Sequence, residues 1–381
     1  MRRLLRDIAE IAAGQGAPQG DANYCDDGTP FVKAGNLSDL IGGLPIDCIQ
    51  KVSDTVAKEH RLRLFPKGTV LFAKSGMSCT KGYVYVLPCD AYVVSHLACI
   101  IPIDRDMSSF LQYYFRYHKP NQLIKDDSYP SISLVDIGNL TIEMLDDEIR
   151  QRIVVELDRI SSIIEARKKE RSTLDILIKA RFVEMFGECE ELVPAGTIMS
   201  EMRNGISPST SGQHHERVLT LSAITQGRFD PNMWKDGVFD TEPPTEKRIS
   251  ADDFYMCRGN GNKSLVGAGV YSSEDRRDLV FPDTVIAARV DMARVCLPYL
   301  FFAWMQPDVR DQIETGARTT NGTYKINQQV ISKIKIPLPP LAQQKQFAAF
   351  VSQVDKSKNV VQSALNKAQL LFDSLMQKSF G

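Results

Sequence analysis

No stretch of this chain reaches the ~18 consecutive apolar residues that a bilayer-spanning helix needs. The opening run Met1-Arg2-Arg3-Leu4-Leu5-Arg6-Asp7 carries charge inside what would be the apolar part of a signal peptide, so neither secretion nor membrane insertion is expected and the location should be cytoplasmic. The eight cysteines (Cys25, Cys48, Cys79, Cys89, Cys99, Cys189, Cys257, Cys296) contain no Cys-x-x-Cys pair. That excludes a zinc ribbon and a thioredoxin-type redox site, leaving reduced and mostly buried thiols as the expectation. The five histidines (His60, His96, His118, His214, His215) show no metal-ligand spacing and are expected as surface or satisfied core residues. Neither sign of charge is in excess, with 46 basic against 47 acidic residues, so any nucleic-acid site must be a local patch. The polar bias of disordered chains is missing too: 43% of residues are hydrophobic and 24% charged. At 381 residues the chain exceeds the ~250–300 at which single cores stop growing, which implies two or more domains.

What is present is a duplication. Ile132-Ser-Leu-Val-Asp-Ile137-Gly-Asn-Leu140-Thr-Ile142 recurs as Ile326-Asn-Gln-Gln-Val-Ile331-Ser-Lys-Ile334-Lys-Ile336. Ile132 answers to Ile326 and Ile142 to Ile336, a constant offset of 194 residues that is far too long for a solenoid and suits two copies of a domain plus a helix. A long helical pattern follows each copy. In the first, Ile153, Leu157, Ile160, Ile164, Leu174 and Ile178 alternate spacings of four and three, with Arg167 and Arg171 on the same stripe. In the second, the stripe reads Phe347, Phe350, Val354, Ser357, Val361, Ala364, Ala368, Leu371 and Leu375. These are coiled-coil heptads, and two in one chain most simply pair with each other, antiparallel. Ser357, Ala364 and Ala368 would make room for Arg167 and Arg171. Prolines 337, 339 and 340 and the acidic Asp146-Asp147-Glu148 mark the helix starts, and Gly187 is expected as a left-handed cap after Phe186.

Each half before its helix is mixed. Val70-Leu-Phe-Ala, Tyr83-Val-Tyr-Val-Leu, Arg217-Val-Leu-Thr-Leu and Thr284-Val-Ile-Ala-Ala read as strands, whereas Ser109 to His118 and Leu297 to Trp304 read as helices. The fold class is therefore α+β: two similar domains separated by two long helices that pair as an antiparallel coiled coil. The expected division is 1–145 and 188–336 for the domains and 146–187 and 337–381 for the helices.

This layout, with Arg181-Phe-Val-Glu-Met-Phe-Gly187 ending one helix and Ile334-Lys-Ile-Pro-Leu-Pro-Pro-Leu-Ala-Gln-Gln344 opening the other, resembles the specificity subunits of type I restriction-modification enzymes. The likeness covers essentially the whole chain and lies in the order of parts. It departs locally at Glu143-Met-Leu-Asp-Asp, where the second copy has Pro-Leu-Pro-Pro-Leu. The resemblance implies that each domain is a target-recognition domain reading one part of a split double-stranded DNA sequence, with the helix pair as a ruler. It also implies two methyltransferase subunits that methylate adenine with S-adenosylmethionine, and restriction/translocase subunits that use ATP and Mg. No cofactor and no membrane contact are expected of this chain itself, and it should not be an enzyme. A methyltransferase of that kind needs an Asn-Pro-Pro-aromatic run, and the Pro-Pro pairs here sit in Glu242-Pro-Pro-Thr and Leu338-Pro-Pro-Leu. That argues against a self-contained restriction-modification enzyme. The rival from another class is a structural adaptor holding two protein-binding domains on a coiled-coil spacer.

DNA-reading chemistry calls for cations on phosphates, Asn, Gln or Arg on base edges, and glycine where backbone comes close. Loops of that composition nominate Lys33, Asn36, Lys74, Ser75, Thr80 and Lys81 in the first half. In the second they nominate Arg203, Asn204, Arg258, Asn260, Asn262, Lys263 and Asn321. Tyr129-Pro-Ser131-Ile-Ser and Thr323-Tyr324-Lys325-Ile-Asn occupy equivalent places in the duplication, either as loops beside DNA or as turns entering the last strand. Gly259-Asn-Gly-Asn-Lys263-Ser264 is not a nucleotide loop, since Asn262 stands where the glycine before lysine belongs.

Overall fold

In the computed structural model, which describes residues 2–320 and 322–381, each copy of the repeated segment folds as a short helix and then a strand. The helices are Leu134–Gly138 and Gln328–Lys333. Ser133 and Asn327, equivalent in the duplication, cap them: Ser133 Oγ accepts from the Asp136 amide at 3.0 Å and Asn327 Oδ1 from the Val330 amide at 2.9 Å. Short oxygen-bearing side chains serve this position because they reach an amide that the first turn leaves unpaired. The strands that follow, Thr141–Glu143 and Lys335–Pro337, pair antiparallel with Arg2–Leu4 and Leu192–Pro194.

The chain divides into two units, Met1–Lys168 with Ala364–Gly381, and Lys169–Ser363. Both are α+β. The first has a four-stranded antiparallel sheet ordered Ala9–Ala13, Leu97–Pro102, Val70–Ala73, Val84–Val86. Helix Met107–Tyr117 packs on that sheet through Phe110, Leu111 and Phe115. The second unit repeats the order with Met199–Asn204, Val285–Val290, Asp253–Cys257 and Gly269–Tyr271, and with helix Leu297–Trp304. A second sheet in each unit contains one parallel pair, Phe31 against Tyr92 in one and Arg217 against Leu279 in the other. Beside it, Gly14 and Gly205 hold corresponding places where a Cβ would lie 2.2 Å from the Val93 carbonyl and 2.1 Å from the Phe281 carbonyl, so only glycine fits.

The two long helices, Asp147–Phe186 and Leu341–Phe380, each run 40 residues and contribute a part to each unit. In the first unit Leu157, Ile160 and Ile164 pack with Phe372 and Met376, and Tyr113 joins them, its hydroxyl donating to Asp158 Oδ1 at 2.6 Å. In the second, Ile178, Phe182 and Phe186 pack with Phe347, Val351 and Val354. There Arg171 Nη1 reaches Gln362 Oε1 at 2.5 Å, Asp175 meets Lys358 at 2.6 Å, and the Phe182 and Phe347 rings lie 5.4 Å apart. Residue numbers fall on one helix as they rise on the other, which makes the pairing antiparallel as the heptads suggested.

The seam of the C-terminal helix differs from the expected stripe. Phe347, Val354 and Val361 are buried as anticipated, but Val351, Phe372 and Met376 carry the remaining burial, while Leu371 is 58% exposed and Ser357 is exposed. An α-helix drifts about 20° per heptad against a strict 3.5 repeat, and Phe372 faces the Tyr113 ring at 6.1 Å. Arg171 is exposed and bonded outward to Gln362 rather than housed opposite small residues. Gly187 follows the last helical residue as expected but keeps a negative φ, so it is not a left-handed cap; its amide continues to the Val183 carbonyl at 2.7 Å. All eight cysteines are free thiols; Cys79, Cys99 and Cys257 are buried, Cys48 is exposed, and the other four are half-buried, fewer buried than expected.

Candidate nucleic-acid interface

In the first unit the apolar strand Val70–Ala73 leaves its sheet at Lys74. The Lys74 amide donates to the His96 carbonyl at 2.9 Å and its carbonyl accepts from the Ile132 amide at 2.7 Å. The ladder continues with a Ser75–Ser131 bridge and a 3.1 Å bond from the Gly76 amide to the Pro130 carbonyl. Lys74, Ser75, Tyr129 and Ser131 are thereby brought together. Gly76, at φ +74°, turns the chain into a tight helical turn, Met77–Lys81, which is anchored by buried Cys79 and by Asn121 Nδ2 donating to the Thr80 carbonyl at 2.9 Å. Thr80 Oγ1 is spent on the Met77 carbonyl, and the Lys81 ammonium lies 5.8 Å from the Tyr83 ring centre. Lys33 and Asn36 are tied elsewhere: Lys33 Nζ donates to Gln50 Oε1 at 2.6 Å and sits over the Tyr24 ring, and Asn36 Oδ1 accepts the Lys33 amide.

The second unit builds the same junction from other residues. The Arg258 amide donates to the Thr284 carbonyl at 2.8 Å and its carbonyl accepts from Ile326 at 2.9 Å, so Arg258 stands where Lys74 stands in the first unit. Gly259–Asn260 then pairs with Thr323–Lys325, which pairs with Arg318–Thr320. Asn260 Oδ1 accepts the Asn262 amide at 2.9 Å, and Asn262 Oδ1 caps the next turn by accepting from the Ser264 amide at 3.1 Å. The arrangement gathers Arg258, Asn260, Asn262 and exposed Lys263 with Tyr324 and Lys325. Asn321 lies outside the described residues. Arg318 sits directly across from Lys325, both exposed, and neither has an ion pair among the described residues. Like charges opposite each other on a ladder repel, so an anion is the ligand that would relieve this pair.

Arg203 and Asn204 are committed to the fold. The Arg203 guanidinium grips the Asp253 carboxylate, its Nε donates to the Glu246 carbonyl at 2.7 Å, and its side chain is only 14% exposed. Asn204 Oδ1 accepts from Gln328 Nε2 at 3.4 Å. Burial pushes the Asp253 carboxyl pKa up, while Arg203 and Arg289 pull it back down. Without Arg203 the buried Asp253 keeps Arg289 as counter-charge, its Nε 2.9 Å from Oδ1, but the Arg203 bonds to Asp253 and Glu246 are lost, so Arg203→Met should cost about 2 kcal/mol in a denaturant titration. An unchanged midpoint would show that Arg203 is held for something other than stability.

His96 belongs to the first junction although the sequence marks it only as a surface or core histidine. Its carbonyl fixes Lys74 and its Nδ1 lies 2.8 Å from Ser75 Oγ. The contact joins positions 21 residues apart with no local pattern, which is why spacing could not find it. Among the described residues no group of three or more His, Cys, Asp or Glu is placed to hold a metal ion, and no helix is long and apolar enough to cross a membrane.

Comparison with known proteins gives a consistent answer. The family model described as "Type I restriction modification DNA specificity domain" matches residues 2–174 and 299–368, more than half of the chain. The EcoKI specificity subunit of Escherichia coli K12 is 27% identical over 192 residues, 48% of this chain and 41% of that protein. The MjaIX specificity subunit of Methanocaldococcus jannaschii is 27% identical over 144 residues, 36% of this chain and 32% of that protein. The matches thus span less than half the length of these relatives. The crystal structure of a type I restriction-modification S subunit from M. genitalium superposes with a TM-score of 0.61 at 13% identity, covering 100% of this chain and 96% of that one. A chain from a study of complex assembly and conformational transition of the type I R-M system gives 0.58 at 16% identity, covering 100% and 97%. Duplicated α+β units, a paired-helix seam and the family match together place this chain in the type I restriction-modification DNA specificity family.

Proposed function

We propose that this chain is the non-catalytic, sequence-specific DNA-binding subunit of a type I restriction-modification enzyme. It reads a bipartite, asymmetric duplex target in the cytoplasm and scaffolds two methyltransferase subunits together with restriction/translocase subunits. S-adenosylmethionine, ATP and Mg act in those partners. Residues 1–145 and 188–336 are the two target-recognition domains in this reading, with 146–187 and 337–381 as the helical spacer. The observation that carries it is the repeated junction: one cation, Lys74 or Arg258, locked by the same two backbone bonds and followed by a loop of wholly different sequence. A scaffold held constant while its exposed loops diverge is what reading two different half-sites requires. Arg318 and Lys325, opposite each other and without an ion pair among the described residues, add to the local positive charge of a near-neutral chain.

Methylation-sensitive sequencing of the host genome with and without this gene tests the proposal. A split motif that loses adenine methylation with the gene supports it, and an unchanged methylome refutes it. At finer grain, replacing Asn260 and Asn262 with alanine should relax the bases read at one half-site and leave the other unaltered. Lys263→Ala should weaken binding to all sequences alike and reduce the salt slope by about one unit if it neutralises one phosphate. If all three changes leave motif and slope as they were, this loop is only a connection.

A further inference from the structure

The two junctions differ in one respect that bears on how each would read DNA. In the first, the ladder through Ser75 and Ser131 ends at the bond between Gly76 and Pro130, and the next residues of the two segments are Met77, which opens the helical turn, and Tyr129. Tyr129 is 82% exposed and Met77 73%, among the most exposed large apolar side chains of the protein. Met77 lies between Lys74 and Lys81 in the chain, and neither lysine has an ion pair among the described residues, whereas nearby Lys125 is held by Asp136 at 2.8 Å. The platform beneath Met77 is fixed by buried Cys79 and by Asn121. In the second unit the same ladder register puts Thr323 in the place of Tyr129, and the neighbouring Tyr324 is half-buried within its sheet.

Building on the DNA-reading proposal above, we infer that the first domain reads its half-site by inserting an apolar wedge, the Tyr129 ring beside Met77, at one base step, while the second domain reads by hydrogen bonds from amide and guanidinium groups. Exposed apolar side chains on a rigid, cation-flanked turn are the parts that unstack a base step, with the cations holding the phosphates on either side. An aromatic ring left this bare in water gains its compensation by stacking on a base.

The test uses the full chain assembled with its methyltransferase subunits and duplexes bearing the motif found by methylation sequencing, with 2-aminopurine placed in turn at each adenine and at a paired position of each half. The wedge predicts a fluorescence rise on binding at one step, in one half-site only, for the wild type and for Tyr129→Phe. Tyr129→Ala should abolish the rise and lower affinity roughly 5- to 150-fold, and Met77→Ala should weaken both in the same direction. Because Tyr129 lies almost wholly in solvent, its truncation leaves the core intact. Tight, motif-selective binding with no rise in either half, with a rise in both, or with a rise that survives Tyr129→Ala overturns the wedge and leaves the DNA-reading proposal standing. A wild-type complex that does not prefer the motif to random duplex overturns the reading itself.

Discussion

Truncating Phe347 to alanine is expected to destabilise the second unit by about 3–5 kcal/mol, the range for emptying a fully buried aromatic site. Phe347 is 0% exposed, and its ring lies 5.4 Å from that of Phe182, 5.6 Å from Phe186 and 5.3 Å from Phe302. It therefore joins both long helices to the domain helix Leu297–Trp304, and no neighbour can collapse into the space without dragging an element with it. Chemical denaturation followed by tryptophan fluorescence is a direct readout, because Trp304 is buried in the same cluster. Leu371→Ala is the control. That leucine lies on the expected heptad stripe yet is 58% exposed, so its loss should fall within about 0.5 kcal/mol. A large cost at Leu371 with little at Phe347 would mean that the seam is wrongly assigned.

The contrast between those residues follows the duplication rather than the heptad. The 194-residue offset carries Leu157 to Val351, Ile160 to Val354, Ile178 to Phe372 and Phe182 to Met376, and every one of these eight is buried. The strict heptad carried instead to Phe350 and Leu371. At these positions the duplication is the better guide, because corresponding helix segments pack on corresponding surfaces of the two units, whereas a heptad answers only to an idealised partner; it fails at Ile164, which it carries to Lys358. The same offset pairs Arg150 with Gln344, both buried at the first turn of their helices. Gln344 bridges the Cys296 amide and the Arg294 and Pro339 carbonyls, which gives the Pro-Leu-Pro-Pro-Leu-Ala-Gln-Gln run a structural task at its end. Arg150 takes Asp147 at 2.9 Å and Asp104 at 3.5 Å instead, so the acidic variant of the helix start keeps the lock with charges.

The site was less legible than the fold for a physical reason. Loop composition found Arg258, Asn260 and Lys263, and the duplication placed Tyr129 and Ser131 level with Thr323 and Lys325. It could not pair Lys74 with Arg258, because the loops between them and the repeated segment differ in length and the two are equivalent only through bonds to Ile132 and Ile326. Arg203 and Asn204 have the composition of a reader loop, but their donors and acceptors go to Asp253, Glu246 and Gln328. Sequence reveals that a loop is polar. It does not reveal whether the polar groups are already used.

Removing one heptad from each long helix, centred on Arg171 in one and on Gln362 in the other, is expected to shorten the unread gap of the methylated motif by about three base pairs. These two side chains touch, so the cut takes out facing turns and rejoins the seam on either side. Seven residues at ~1.5 Å are about 10 Å of rise, and duplex DNA advances about 3.4 Å per base pair. Arg171 and the residues beside it are mostly exposed, and on the other helix the cut removes one buried seam residue, Val361. Three base pairs also turn the duplex by roughly a third of a helical turn, which changes the face presented to the second domain. The cut is therefore expected either to move the gap by that amount or to extinguish methylation when the methyltransferases no longer seat. Methylation sequencing in cells carrying the shortened gene reads both. An unchanged gap with full methylation would mean that the helices hold the chain together without measuring anything, and the spacer role proposed for 146–187 and 337–381 would fall.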